Sequence, residues 1–264
     1  MMRGCSLGLI ALALGGLSWA LASTPGAEHL EEGLRHYWAE EYGKAVTALE
    51  KAVSADPEDS MSAFWLGSAI GRRAEQMTGL RRLTALPMAR KSREMFEKSV
   101  ALDPSNVETL TALQDFNLNA PGIVGGSRKE AGALAGRIEA IDEMRGLLAW
   151  ADYFEKTGDA ESAGERYAMA EELDPDAIEY LLGHAGFLAR QGSTAASDAL
   201  LEQALAAEPS NPAVLLAAAQ TWIRAKRRSL YPRAKQLLER YLANPLQKPS
   251  AEPVSHVRKL LKGI

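Results

Sequence analysis

The side chains able to do acid–base, metal or anion chemistry are scattered along these 264 residues. The histidines are His29, His36, His184 and His256. His29, Glu32 and His36 share one face of a helical stretch, but the His-Glu-x-x-His pattern of a zinc helix is absent. No Gly-x-Ser-x-Gly elbow presents a serine nucleophile. Positive charge gathers in Arg72, Arg73, Arg81, Arg82, Arg90, Lys91 and Arg93. Guanidinium forks grip carboxylates and phosphates bidentately, so Arg73, Arg81, Arg82 and Arg90 form a candidate site for an anionic glycan or lipid headgroup. The competing use is surface support, as in Arg90 and Glu94 at four-residue spacing. Gly125-Gly126-Ser127 leads into Arg128 and Lys129 with Ser127 placed as a helix cap, and helix starts attract anions. The Gly-x4-Gly-Lys-Ser/Thr spacing of a nucleotide loop is missing, so the turn reads as structural, its glycines redirecting the chain. These observations predict no catalytic residues, no metal and no cofactor.

The elements that would carry these groups are helices. The chain is 47% hydrophobic and 24% charged, a globular balance rich in alanine and leucine and only 6% aromatic, which favours packed helices over a sheet. Met1-Met2-Arg3, an apolar stretch from Leu7 to Leu21 and the small-x-small sequence Ala20-Leu21-Ala22 predict a cleavable signal peptide over residues 1–22, then a short linker at 23–26. The apolar stretch is shorter than the roughly 20 residues that span a bilayer, and no later one is long enough. Export, to the periplasm, is the expected destination. Processing would remove Cys5, the only cysteine, and Arg3, taking the formal charge from −4 to −5. A mildly acidic chain is a poor nucleic-acid binder.

A short phrase recurs: Ala55-Asp56-Pro57, Leu102-Asp103-Pro104, Leu173-Asp174-Pro175 and Ala207-Glu208-Pro209. Each proline ends a helix, because it cannot continue one and pushes the preceding residue out of the helical region. Pro175 and Pro209 are 34 residues apart. Upstream lie small and large residues in alternation: Gly33, Tyr42, Ala45, Leu49 and Ala52; Ala151, Phe154, Gly158, Ala163, Tyr167 and Ala170; Gly192, Ser197, Leu201 and Ala204. With that period and those residues the chain resembles the tetratricopeptide-repeat (TPR) family. The resemblance runs from about Ala27 to Ile264 and implies an all-α TPR-type α-solenoid, a right-handed superhelix of antiparallel helix pairs. About six pairs are expected over residues 27–249, with insertions near 75–87 and 120–127, and a capping helix over 250–264. The arginine-rich second unit together with residues 120–127 also looks similar to a subgroup of bacterial envelope TPR proteins, which implies no particular activity.

In the TPR family the first helix of each pair lines the concave face. Carried onto this sequence, that places Tyr37, Trp38, Arg72, Asp115, Asn119, Asp152, Lys156, Arg190 and Arg224 along a groove for a protein segment. Tyr37 and Trp38 would be apolar anchors, with Arg190 and Arg224 selecting acidic character. The clamp with which some members hold a carboxy-terminal carboxylate is not reproduced, since Leu30 and Leu34 occupy its first-helix positions. The expected function is a non-enzymatic scaffold or adaptor of the cell envelope.

Overall fold

The computed structural model describes residues 26–77, 85–248 and 251–264. The expected signal peptide, residues 1–22, therefore lies outside the described residues, as do Arg81 and Arg82. Thirteen α-helices and no strand occur among the described residues. They run as six consecutive pairs: α1 (Ala27–Trp38) with α2 (Tyr42–Ala55), α3 (Ser60–Glu75) with α4 (Ala85–Leu102), and α5 (Val107–Asn119) with α6 (Arg128–Glu139). Then come α7 (Glu143–Thr157) with α8 (Ala160–Leu173), α9 (Ile178–Arg190) with α10 (Thr194–Ala207), and α11 (Pro212–Arg224) with α12 (Tyr231–Ala243). A final helix, α13 (Val254–Lys262), packs on α12. None of the described helices is long and apolar enough to cross a membrane.

The acidic residue before each repeating proline ends its helix as expected. Asp56, Asp174 and Glu208 stop α2, α8 and α10 with φ of −134°, −157° and −130°. The following helix restarts on a side-chain cap in several pairs: Asp59 accepts from the Met61 and Ser62 amides, Asn106 from Thr109, and Asn211 from Ala213.

Each of four second helices carries the same buried triplet at positions i, i+4 and i+7. It reads Ala45/Leu49/Ala52 in α2, Ser92/Phe96/Ser99 in α4, Ala163/Tyr167/Ala170 in α8 and Ser197/Leu201/Ala204 in α10. The small members let the partner helix approach so closely that three serine hydroxyls reach its main chain, Ser99 Oγ donating to the Ser60 carbonyl at 2.8 Å. Ser92 Oγ donates to the Gly67 carbonyl at 2.7 Å and Ser197 Oγ to that of Ala185 at 2.8 Å. Gly33 supplies the matching hollow in α1, where a β-carbon would fall 2.5 Å from Leu49 Cγ.

First helices of successive pairs pack on one another at α1–α3, α5–α7, α7–α9 and α9–α11. Between α3 and α5 no comparable contact is made. The buried residues form two clusters that meet at α7, which gives Ala149 to the first and Leu147 and Ala151 to the second.

The junction of α6 and α7 is a tight contact that involves backbone on both sides. A β-carbon on Gly146 would lie 2.1 Å from the Glu139 Cα, with no side chain to swing away. Gly146→Ala must therefore separate α6 from α7, and should cost about 1–3 kcal/mol in urea denaturation followed by circular dichroism. A loss below about 0.5 kcal/mol would show that this approach is not constraining the fold.

Candidate functional site

The gap between α3 and α5 opens a cavity of about 590 Å³ on the face formed by the first helices. Its floor is apolar, made by Phe64 of α3, Phe96 of α4, Phe116 of α5 and Val124 of the 120–127 loop. Polar groups surround that floor: Ser68 and Arg72 from α3, Thr111, Asp115 and Asn119 from α5, Arg145 from α7 and Lys248 from the segment before α13.

The loop that walls one side is held by arginines of α4. Arg90 donates to the Ile123 carbonyl through Nε at 3.3 Å and Nη2 at 2.8 Å. Arg93 donates to the Gly125 carbonyl at 2.6 Å and pairs with Glu130. The loop folds back so tightly that a β-carbon on Gly126 would sit 1.8 Å from the Ala120 carbonyl oxygen, and Ser127 caps α6 by accepting from the Glu130 amide. Arg90 thus serves as a clamp on the loop, a use that leaves its fork turned to protein carbonyl rather than to a phosphate. Arg73 lies near the end of α3.

Four of the sequence-predicted groove residues come together across α5 and α7. Lys156 Nζ donates to Asn119 Oδ1 at 2.8 Å, and Asp115 and Asp152 lie close enough to feel one another's charge. Asp115 is reached by solvent, yet it stands inside the concavity with protein on several sides. The desolvation imposed by that surrounding protein, with repulsion from Asp152, pushes its carboxyl up to about 7 although the side chain is exposed at the rim, while Lys156 pulls the other way. Burial likewise raises Asp152.

The remaining predicted contacts are placed differently. Tyr37 is only 3% exposed and meets Trp38, Tyr42 and Trp65 edge to face with centroids 5.1–5.3 Å apart. Its ring fills the space between α1, α2 and α3 and borders only a small cleft beside Trp38 and Tyr42, so it does not project into the main cavity as an anchor. Arg190 is bound to Glu155 by two hydrogen bonds of 2.9 Å, and Glu155 also accepts from Tyr167 Oη at 3.1 Å. A guanidinium already neutralised by a carboxylate is poorly suited to select acidic partners. Arg224 is exposed and lines a second concavity with Gln220, Tyr231 and His256 rather than the main one. His36 Nδ1 lies 2.7 Å from Glu41, and no group of three or more metal-ligating side chains assembles among the described residues.

Sequence reasoning missed Phe64, Phe96, Phe116, Arg145 and Lys248. Phe116 adjoins Asp115 and was within reach of the same helical count. Arg145 and Lys248 arrive from other turns of the solenoid, and no local signal marks them.

Asp115 holds its proton more firmly in the fold than in the unfolded chain. The folded state therefore binds more proton between about pH 4 and 7, and this group's contribution to stability falls as pH rises through that window. Asp115→Asn should raise the thermal midpoint by about 2–4 °C at pH 8 and leave it unchanged at pH 4. An Asp115 carboxyl titrating near 4 by carbon-detected NMR would refute the assigned environment.

No protein-family model matches the chain, and no curated protein matches it. Solved structures do. The TPR protein TTC0263 of Thermus thermophilus superposes with a TM-score of 0.54 at 17% identity, covering 75% of this chain and 99% of that one. PilF of Pseudomonas aeruginosa superposes with a TM-score of 0.50 at 14% identity, covering 93% of this chain and 99% of that one. At such identities the likeness is one of fold. The paired helices, the recurring small-large-small triplet and these superpositions agree that the chain has the fold of the tetratricopeptide-repeat proteins, an all-α solenoid.

Proposed function

We propose that the protein is a non-catalytic adaptor that holds a segment of a protein partner in the cavity between α3 and α5. One observation carries the reading: the regular packing of first helices is interrupted there, leaving an open concavity of about 590 Å³ with an aromatic floor and a polar rim. Sites of this shape orient a ligand with few polar contacts and bind it through apolar contact. The occupant is an extended or helical segment with a large apolar side chain on Phe64, Phe96 and Phe116. A basic residue beside it would meet Asp115, which has Asp152 for a neighbour and Lys156 as its nearby cation. That differs from the acidic partner expected from Arg190 and Arg224, because Arg190 is spent on Glu155.

The basic-then-apolar start of the chain supports an exported protein acting in the cell envelope. An anionic ligand held by the arginine-rich stretch is the weaker reading, since Arg90 is engaged with Ile123. Catalysis is not part of the proposal, as TPR folds serve mainly as binding surfaces.

A photocrosslinking amino acid placed at Ala112, on the cavity wall, should yield a discrete protein adduct in intact cells, whereas one at Glu172 on exposed α8 should not. Filling the cavity with Thr111→Arg should reduce a crosslink placed at Asp115 by about tenfold or more without loss of helicity. Equal adducts from both faces, or an adduct indifferent to the filled cavity, would remove the groove as the site.

A further inference from the structure

The carboxy-terminal stretch returns to the first helix pair. Ser255, at the start of α13, donates its amide to Glu40 Oε1 at 2.8 Å and its hydroxyl to Glu40 Oε2, across 215 positions of sequence. Arg72 Nη2 donates to the Ala251 carbonyl at 2.8 Å. Pro245, Leu246 and Pro253 line a small cleft together with Tyr37, Trp38 and Tyr42. Pro253 has φ −54° and ψ 134°, close to the polyproline conformation. An aromatic cleft flanked by a hydrogen-bonding arginine and carboxylate suits a proline-bearing segment, whose restricted backbone loses little freedom on docking.

The receiving turn is unusual in the same place. Glu40 has φ 59°, the left-handed conformation taken by Gly158 and Gly192 in the corresponding turns of the fourth and fifth pairs. Lys226 shares that conformation in the sixth pair, so strain alone does not single out Glu40. The carboxylate does, because it is the one that grips α13. Lys248, from the same returning stretch, lines the main cavity.

We propose that the aromatic cleft of the first pair is a binding site for a proline-bearing segment, and that its resident is the chain's own carboxy-terminal stretch, acting as a latch. Held by Glu40 and Arg72, the latch joins the last turn of the solenoid to the first and brings Lys248 to the cavity. A partner entering the cavity competes with the latch, so the apparent affinity of the groove is lowered by the fraction of molecules that are latched. This consequence rests on the groove reading, whereas the latch itself is tested without any partner.

The test uses the full chain. Ser255→Asp places a second carboxylate against Glu40 while suiting the first turn of α13, and Glu40→Gly removes the carboxylate while relieving the turn. By hydrogen exchange, both variants should speed exchange at residues 37–42 and 251–258 by about tenfold or more, with far-UV circular dichroism unchanged. Glu40→Lys combined with Ser255→Asp should restore protection. A labelled synthetic peptide of residues 244–258 should bind Ser255→Asp about tenfold more tightly than the unaltered chain, whose site is filled. Unchanged exchange at residues 37–42 in both variants, or equal peptide binding by Ser255→Asp and the unaltered chain, overturns the latch. Either result leaves the crosslinking test of the cavity standing on its own.

Discussion

Two helices share a core only as closely as the side chains at their crossing allow, and this solenoid is set by keeping those side chains small at fixed intervals. The triplets Ala45/Leu49/Ala52, Ala163/Tyr167/Ala170 and Ser197/Leu201/Ala204 put one large residue between two small ones on each of these second helices. The large residue fills the hollow while the small ones bring the backbones together. Serine can replace alanine because at that distance its hydroxyl finds a main-chain carbonyl, so a buried polar group is satisfied at little cost. Once each pair is fixed at short range, its neighbours stack in one direction and the first helices pack side by side everywhere but between α3 and α5.

The cavity arises where that regularity is broken. There α3 and α5 make no comparable contact, and the long α4 and the 120–127 loop line the opening between them. Keeping the gap open demands a rigid wall, and Arg90 and Arg93 supply it by donating to the carbonyls of Ile123 and Gly125. A long guanidinium side chain reaches these loop carbonyls across two elements. Much of the positive charge that stands out along the chain is thereby used in construction.

The same sorting separates the groove's acidic and basic groups. Glu155 is shielded and receives Arg190 and Tyr167, forming a closed network with no charge to offer. Asp115 has Asp152 for a neighbour and only Lys156 to offset it, and Lys156 is itself directed to Asn119. Charge that has been placed in a concavity with little to offset it is more telling than charge that is merely plentiful, because its environment can be relieved by an incoming cation.

The sequence by itself determined the helix pairs, their ends and their contact residues. These depend on interactions within a turn or between adjacent helices: proline's fixed geometry, capping side chains, and small and large residues at spacing four and three. It also marked Asp115, Asn119, Asp152 and Lys156 as one surface, since successive first helices must lie side by side. Only the tertiary structure decided which charges are spent and which are left to face the concavity. Tyr37 and Arg72 read as a presented aromatic and a presented cation, yet Tyr37 is packed among other rings and Arg72 is held to Ala251, 179 residues away. Glu40 had no mark at all until Ser255 was beside it. Such pairings are set by the accumulated curvature of all six pairs, a sum of small rotations at every interface that no local pattern encodes.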